Sequence, residues 1–103
     1  EAFNFGPAEG DAKPVQWIVE QLIQGWGEGA SWHVGGGTHP HEAHYLKLDI
    51  SKARVMLGWK PQWNLTQALQ AIIVWHKAHS AHKSSTEMRS LCLQQIKDYS
   101  QAM

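Results

Sequence analysis

A chain of 103 residues is one domain at most, with room for one modest core but not for a nucleotide-binding domain plus a substrate domain. Nine Lys+Arg balance nine Asp+Glu, which leaves no electrostatic footprint for DNA, RNA or an anionic membrane surface, so neither nucleic acid nor a membrane is expected as a partner. The single cysteine, Cys92, excludes an internal disulfide, and no stretch approaches the roughly 18 consecutive apolar residues of a membrane helix or opens like a secretory signal, so a cytoplasmic compartment is the default.

In chain order, EAFNFGP reads as a short strand running into a Gly6-Pro7 turn. Pro14 suits a first helical position, and Val15, Ile18, Val19, Leu22, Ile23 and Trp26 recur at helical spacing until Gly25, Gly27 and Gly29 end the pattern. Trp17 falls outside that stripe and needs a second surface to cover it. SWHVGGG reads as another short strand, and HPHEAHYLKLD opens as a loop and closes as a strand through Tyr45, Leu46, Lys47 and Leu48. Those two strands are expected to be neighbours in a small sheet.

Ser51 is the expected cap of a helix over KARVMLG, with Ala53, Val55, Met56 and Leu57 packed inward and Gly58 allowing a left-handed exit. Lys60-Pro61 forces an extended segment. Asn64 with Gln67 has capping-box spacing, and Leu65, Ala68, Leu69, Ile72 and Ile73 form the buried stripe of the next helix, with Trp75 at its edge. Ser84 with Glu87 makes a second box before a last helix carrying Met88, Leu91, Cys92, Ile96 and Tyr99. The sum is an α+β fold: a small helical lobe of four helices with about three short strands, lacking a Rossmann domain. Residues 1–83 form the lobe, and 84–103 a C-terminal helix packed on it or exchanged from it.

Chemical machinery is sparse. Gly35-Gly36-Gly37 leads to His39-Pro40 and not to a helix, so it fails as a phosphate-binding turn. Tyr45 and Tyr99 are followed four residues on by Asp49 and Met103, so there is no Tyr-x-x-x-Lys pair and no catalytic residue is expected. His39, His41 and His44 crowd one loop with Pro40 and no nearby cysteine, which favours turn bonding over a zinc site; no metal is assigned. Cys92, on an apolar stripe, is expected to pack inertly. Trp59 and Trp63 are expected to pin helices together as core aromatics and not to stack on a ligand.

The pattern D-x-S-K-A, four residues, L-G-W-x-P, then a capped helix ending in tryptophan, carried here by Asp49, Ser51, Lys52, Ala53, Leu57, Gly58, Trp59, Pro61 and Trp75, resembles the C-terminal substrate-binding lobe of extended short-chain dehydrogenases acting on nucleotide sugars. AFNFGP and GGGTHPHEAHYLKLD narrow the resemblance to the CDP-glucose 4,6-dehydratases. It implies a parent that uses NAD as hydride carrier, with no cofactor held by this chain, and an inactive fragment that retains the nucleotide-sugar lobe. The implied contacts to a CDP-sugar, held weakly because half the pocket wall would be absent, are Asn4, His39, His41, Glu42 and Tyr45. For Asn4, His39, His41 and Glu42 a purely structural or solvated role stands beside that reading. An apolar face bared by the missing domain would drive homodimer formation. The alternative function is a free-standing, non-catalytic binding or dimerisation module.

Overall fold

The computed structural model describes residues 1–35 and 48–102. A 3-10 turn, Glu9–Asp11, precedes four α-helices: α1 (Val15–Trp26), α2 (Ser51–Leu57), α3 (Leu65–Ser80) and α4 (Ser85–Gln101). The expected α+β class is overturned, because there is no strand among the described residues.

The physical reason is visible at the N-terminus. Residues 1–5 lie beside α2, but side chains bind them where a ladder would need backbone pairs. Lys52 Nζ donates to Ala2 O at 2.9 Å, pairs with Glu1 Oε2 at 3.7 Å and sits 4.9 Å from the Phe3 ring centre. Phe5 meets Trp59 edge-on at 5.1 Å. With no paired backbone the segment stays irregular. Residues 31–35 are likewise without regular structure, and the third expected strand falls mostly on residues 45–47, outside the described ones.

Both capping boxes form as their spacing requires. Asn64 Oδ1 accepts from Gln67 N and Gln67 Oε1 from Asn64 N, while Ser84 Oγ and Glu87 Oε1 make the same exchange. Gly58 adopts φ 64°, and the N–H groups of Gly58 and Trp59 close α2 on Arg54 O and Ala53 O, a left-handed exit whose Gly58–Arg54 bond is that of the αL motif. Three expectations shift. Pro14 lies at the N-cap of α1 and not inside it. Ser51 is the first residue of α2, and Asp49 caps it: Asp49 Oδ1 accepts from Ser51 N at 2.8 Å. Gly25 lies inside α1 and does not end it; Gly27, at φ 69°, is the first residue beyond the helix, and Gly29 follows it.

Gly25 instead marks the closest approach of α1 and α3, because a Cβ there would collide with Ile73 Cδ1. Beside that crossing Lys77 Nζ sits 5.5 Å from the Trp26 ring centre and 3.9 Å from Glu28 Oε1. On the other side of α3, Gln95 Nε2 donates to Ala71 O at 2.9 Å, and Trp63 meets Tyr99 edge-on at 5.2 Å. The two corner tryptophans therefore hold different partners: Trp59 the N-terminal segment, Trp63 the last helix.

Apolar burial stops at Ile50, Ala53, Leu69 and Ile73 among the described residues. Val55, Met56 and Leu57, expected inside, are 81%, 58% and 54% exposed, because α2 meets the N-terminal segment on one side only. Ile72 is 48% exposed, and Cys92 is exposed with its sulfur accepting the Trp75 indole N–H at 3.3 Å. A folded monomer of this mass exposes roughly 5,800 Å². This chain exposes 8318 Å².

Candidate functional site

A cleft of about 570 Å³ opens where the N-terminal turn, the start of α1, the start of α2 and the start of α3 converge; Pro7, Asp11, Lys13, Asp49, Arg54 and Leu65 line it. Each wall has a local cause. Pro7 turns the chain out of the N-terminal segment, and Asp49 caps α2 and so fixes the α2 entry. Asp11, on the 3-10 turn, reaches 54 residues along the sequence to accept Leu65 N at 3.2 Å. That bond and the Asn64–Gln67 box together satisfy the N–H groups of Asn64, Leu65 and Gln67 at the start of α3.

Of the three carboxylates in the lining, Glu9, Asp11 and Asp49, the last two are committed to backbone N–H groups. The Ser51 hydroxyl, and after it the Ser51 N–H, holds the Asp49 carboxyl below the usual carboxylate range, since each bond favours the charged form. Lys13 and Arg54 bring the positive charge, both exposed, with the Lys13 ammonium 5.6 Å from the Trp17 ring centre. No histidine, cysteine or tyrosine is among the described residues lining the cleft. The cleft thus sets two cations, Lys13 and Arg54, beside three carboxylates, Glu9, Asp11 and Asp49, and the Ser51 hydroxyl is engaged with Asp49 at the entry of α2.

Of the residues singled out from the sequence, Asn4 lies at the cleft's edge: its Nδ2 donates to Asp49 O at 3.5 Å, an exposed contact between the N-terminal segment and the α2 cap. His39, His41, Glu42 and Tyr45 lie outside the described residues, as does His44. Leu48, the last residue of the expected third strand, is in no regular structure and lines the cleft. Lys13, Arg54 and Asp11 were not among the expected site residues. Lys13 precedes the N-cap of α1, so no helical spacing ties it to Trp17, whose ring lies 5.6 Å from its ammonium. Asp11 had no readable signal, because its partner is far along the chain.

No family model matches the chain. Among curated proteins, the CDP-glucose 4,6-dehydratase of Salmonella typhimurium is 56% identical over 78 residues, a stretch covering 76% of this chain and 22% of that relative. The chain therefore spans about a fifth of the length of the relative it matches. Identity at that level over that many residues bears out the resemblance to the CDP-glucose 4,6-dehydratases. Over three quarters of its residues, this chain is similar to a part of CDP-glucose 4,6-dehydratase.

Proposed function

We propose that the chain supplies part of the CDP-sugar-binding lobe of a CDP-glucose 4,6-dehydratase-like protein and has no turnover of its own. The observation that carries this reading is the 56% identity to 22% of such an enzyme. The absence of a Tyr-x-x-x-Lys pair from the sequence agrees with it. On this reading NAD and the proton-transferring groups belong to other parts of the protein. Asn4, His39, His41, Glu42 and Tyr45 contact the sugar nucleotide, with the imidazoles donating to phosphate oxygens where they are protonated. Among the described residues no helix is long and apolar enough to cross a membrane.

Incubation of the chain with CDP-glucose and NAD is expected to yield no 4-keto sugar, and detectable product would overturn the assignment. Titration calorimetry with CDP is expected to show binding no tighter than about millimolar, because a pocket walled on one side buries little of its ligand. Micromolar affinity would show instead that the lobe holds the nucleotide by itself.

A further inference from the structure

We propose that Lys52 is a positioning residue for nucleotide binding: it clamps the N-terminal segment against α2 and so sets the Asn4 amide at the edge of the cleft. This rests on the reading of Asn4 as a sugar-nucleotide contact. The segment that carries Asn4 has no regular structure of its own, so its place is set by what grips it from outside. Among the described residues that grip comes from α2 and its flanks. Three contacts converge on one ammonium: Lys52 Nζ donates to Ala2 O at 2.9 Å, pairs with Glu1 Oε2 at 3.7 Å and lies 4.9 Å from the Phe3 ring centre.

The other holds on the segment are weaker or lie to one side. Asn4 Nδ2 reaches Asp49 O at 3.5 Å, the outer limit of a hydrogen bond, and such a bond does not by itself fix an exposed chain. Phe5 meets Trp59 edge-on at 5.1 Å, an attraction between rings that sets no polar register. The bond to Ala2 O is short and charge-assisted, and one ammonium can donate to a carbonyl, face a carboxylate and rest on a ring together. Lys52 thus anchors the chain on one side of Asn4 and Trp59 on the other, which keeps the amide beside the Asp49 cap that lines the cleft.

The place of Lys52 in its own helix points the same way. It is the second residue of α2, where a cation faces the positive end of the helix dipole, an arrangement that weakens a helix. Its contacts with the N-terminal segment, and not the stability of α2, account for a lysine there. With the segment docked, a nucleotide meets a preset amide; with the segment released, the apparent affinity falls in proportion to the docked fraction.

Proton–nitrogen correlation spectra of the full chain, with CDP titrated through the millimolar range, read the segment and the ligand together. In the unsubstituted chain CDP is expected to shift the Asn4 side-chain amide. Lys52→Met keeps the apolar stem and removes the charge. It is expected to move the amides of residues 2–5 to unstructured values and to weaken CDP binding about tenfold, the result of a docked fraction of roughly one tenth, with the far-UV helical signal unchanged. Lys52→Arg, which keeps a charged donor, is expected to restore both. A Lys52→Met chain whose residues 2–5 stay in place, or that releases them with no change in CDP affinity, overturns the proposal. So does CDP binding that shifts other signals but not that of Asn4, a result that leaves the binding-lobe reading standing. No CDP-dependent shift anywhere in the unsubstituted chain overturns that reading, and the proposal with it. Should Lys52→Met lose its helical signal, Phe3→Ala, which takes the ring from beside the ammonium without touching α2, is expected to loosen residues 2–5 and weaken CDP binding by a smaller factor, and an unchanged affinity there refutes the clamp.

Discussion

The helices α2 and α3 have comparable apolar stripes in the sequence but opposite fates. In α3, Leu69 and Ile73 are 6% and 8% exposed, because α1 covers one side and α4 touches another. In α2 only Ala53 is buried, while Val55, Met56 and Leu57 stay more than half exposed. A helical period states which side chains share a face; it does not state whether anything covers that face. The comparison shows where the fold is self-sufficient, at the α1–α3 crossing, and where it is open, around α2 and outside α4.

The largest expected effect breaks the covered side. Ile73→Ala should cost about 3 kcal/mol in a urea titration, since it removes buried methyl groups and leaves a cavity beside Gly25. Gly25→Val should cost about 2 kcal/mol through the same crossing, because its Cβ meets Ile73 and the backbones must separate. Asn64→Ala should cost about 1 kcal/mol by removing the accepting half of the α3 box. Met56→Ala, on the open side, should change stability by less than about 0.5 kcal/mol; a loss as large as that of Ile73→Ala would mean that α2 is covered after all.

A smaller effect concerns acid. The carboxyls of Asp49 and Glu87 are both held below their ordinary range, the first by the Ser51 hydroxyl and N–H, the second by the Ser84 N–H and hydroxyl. A depressed folded-state pKa contributes stability that is present above the unfolded value, near pH 4, and is lost as pH falls through the lower folded value. Urea midpoints should therefore drop on acidification below about pH 4, and the drop should be shallower in Asp49→Asn and Glu87→Gln. Both groups are exposed, so an unchanged slope in both variants would show that solvent has erased the effect.

What could be read from the sequence was local. The two capping boxes and the Gly58 exit involve partners three to five residues apart, and their residue types declare the geometry. The cap of α2 was displaced by two residues because Asp49, like Ser51, is a good acceptor, and an aspartate two residues before a free N–H reaches it readily. The strands failed for a different reason: alternation in EAFNFGP is visible, but a strand also needs a backbone partner, and Lys52, Asn4 and Trp59 hold that segment by side chains. The Asp11–Leu65 bond and the separate partners of Trp59 and Trp63 are long-range and left no local trace. Of the expected sugar-nucleotide contacts only Asn4 falls among the described residues, and its bond to Asp49 O joins two segments that both border the cleft.

The central claim, that these residues contribute a working CDP-sugar-binding part to a larger catalytic unit, is tested most directly by a chimera. In it the matching 78-residue stretch of the Salmonella CDP-glucose 4,6-dehydratase is replaced by the stretch from this chain, and conversion of CDP-glucose to the 4-keto sugar is followed. The account predicts that the chimera dehydrates CDP-glucose, with a KM for CDP-glucose within about tenfold of the parent's, the change that roughly 1.4 kcal/mol of lost binding would produce. A chimera that folds with the parent's helical signal and thermal transition, yet neither binds nor dehydrates CDP-glucose, would contradict it.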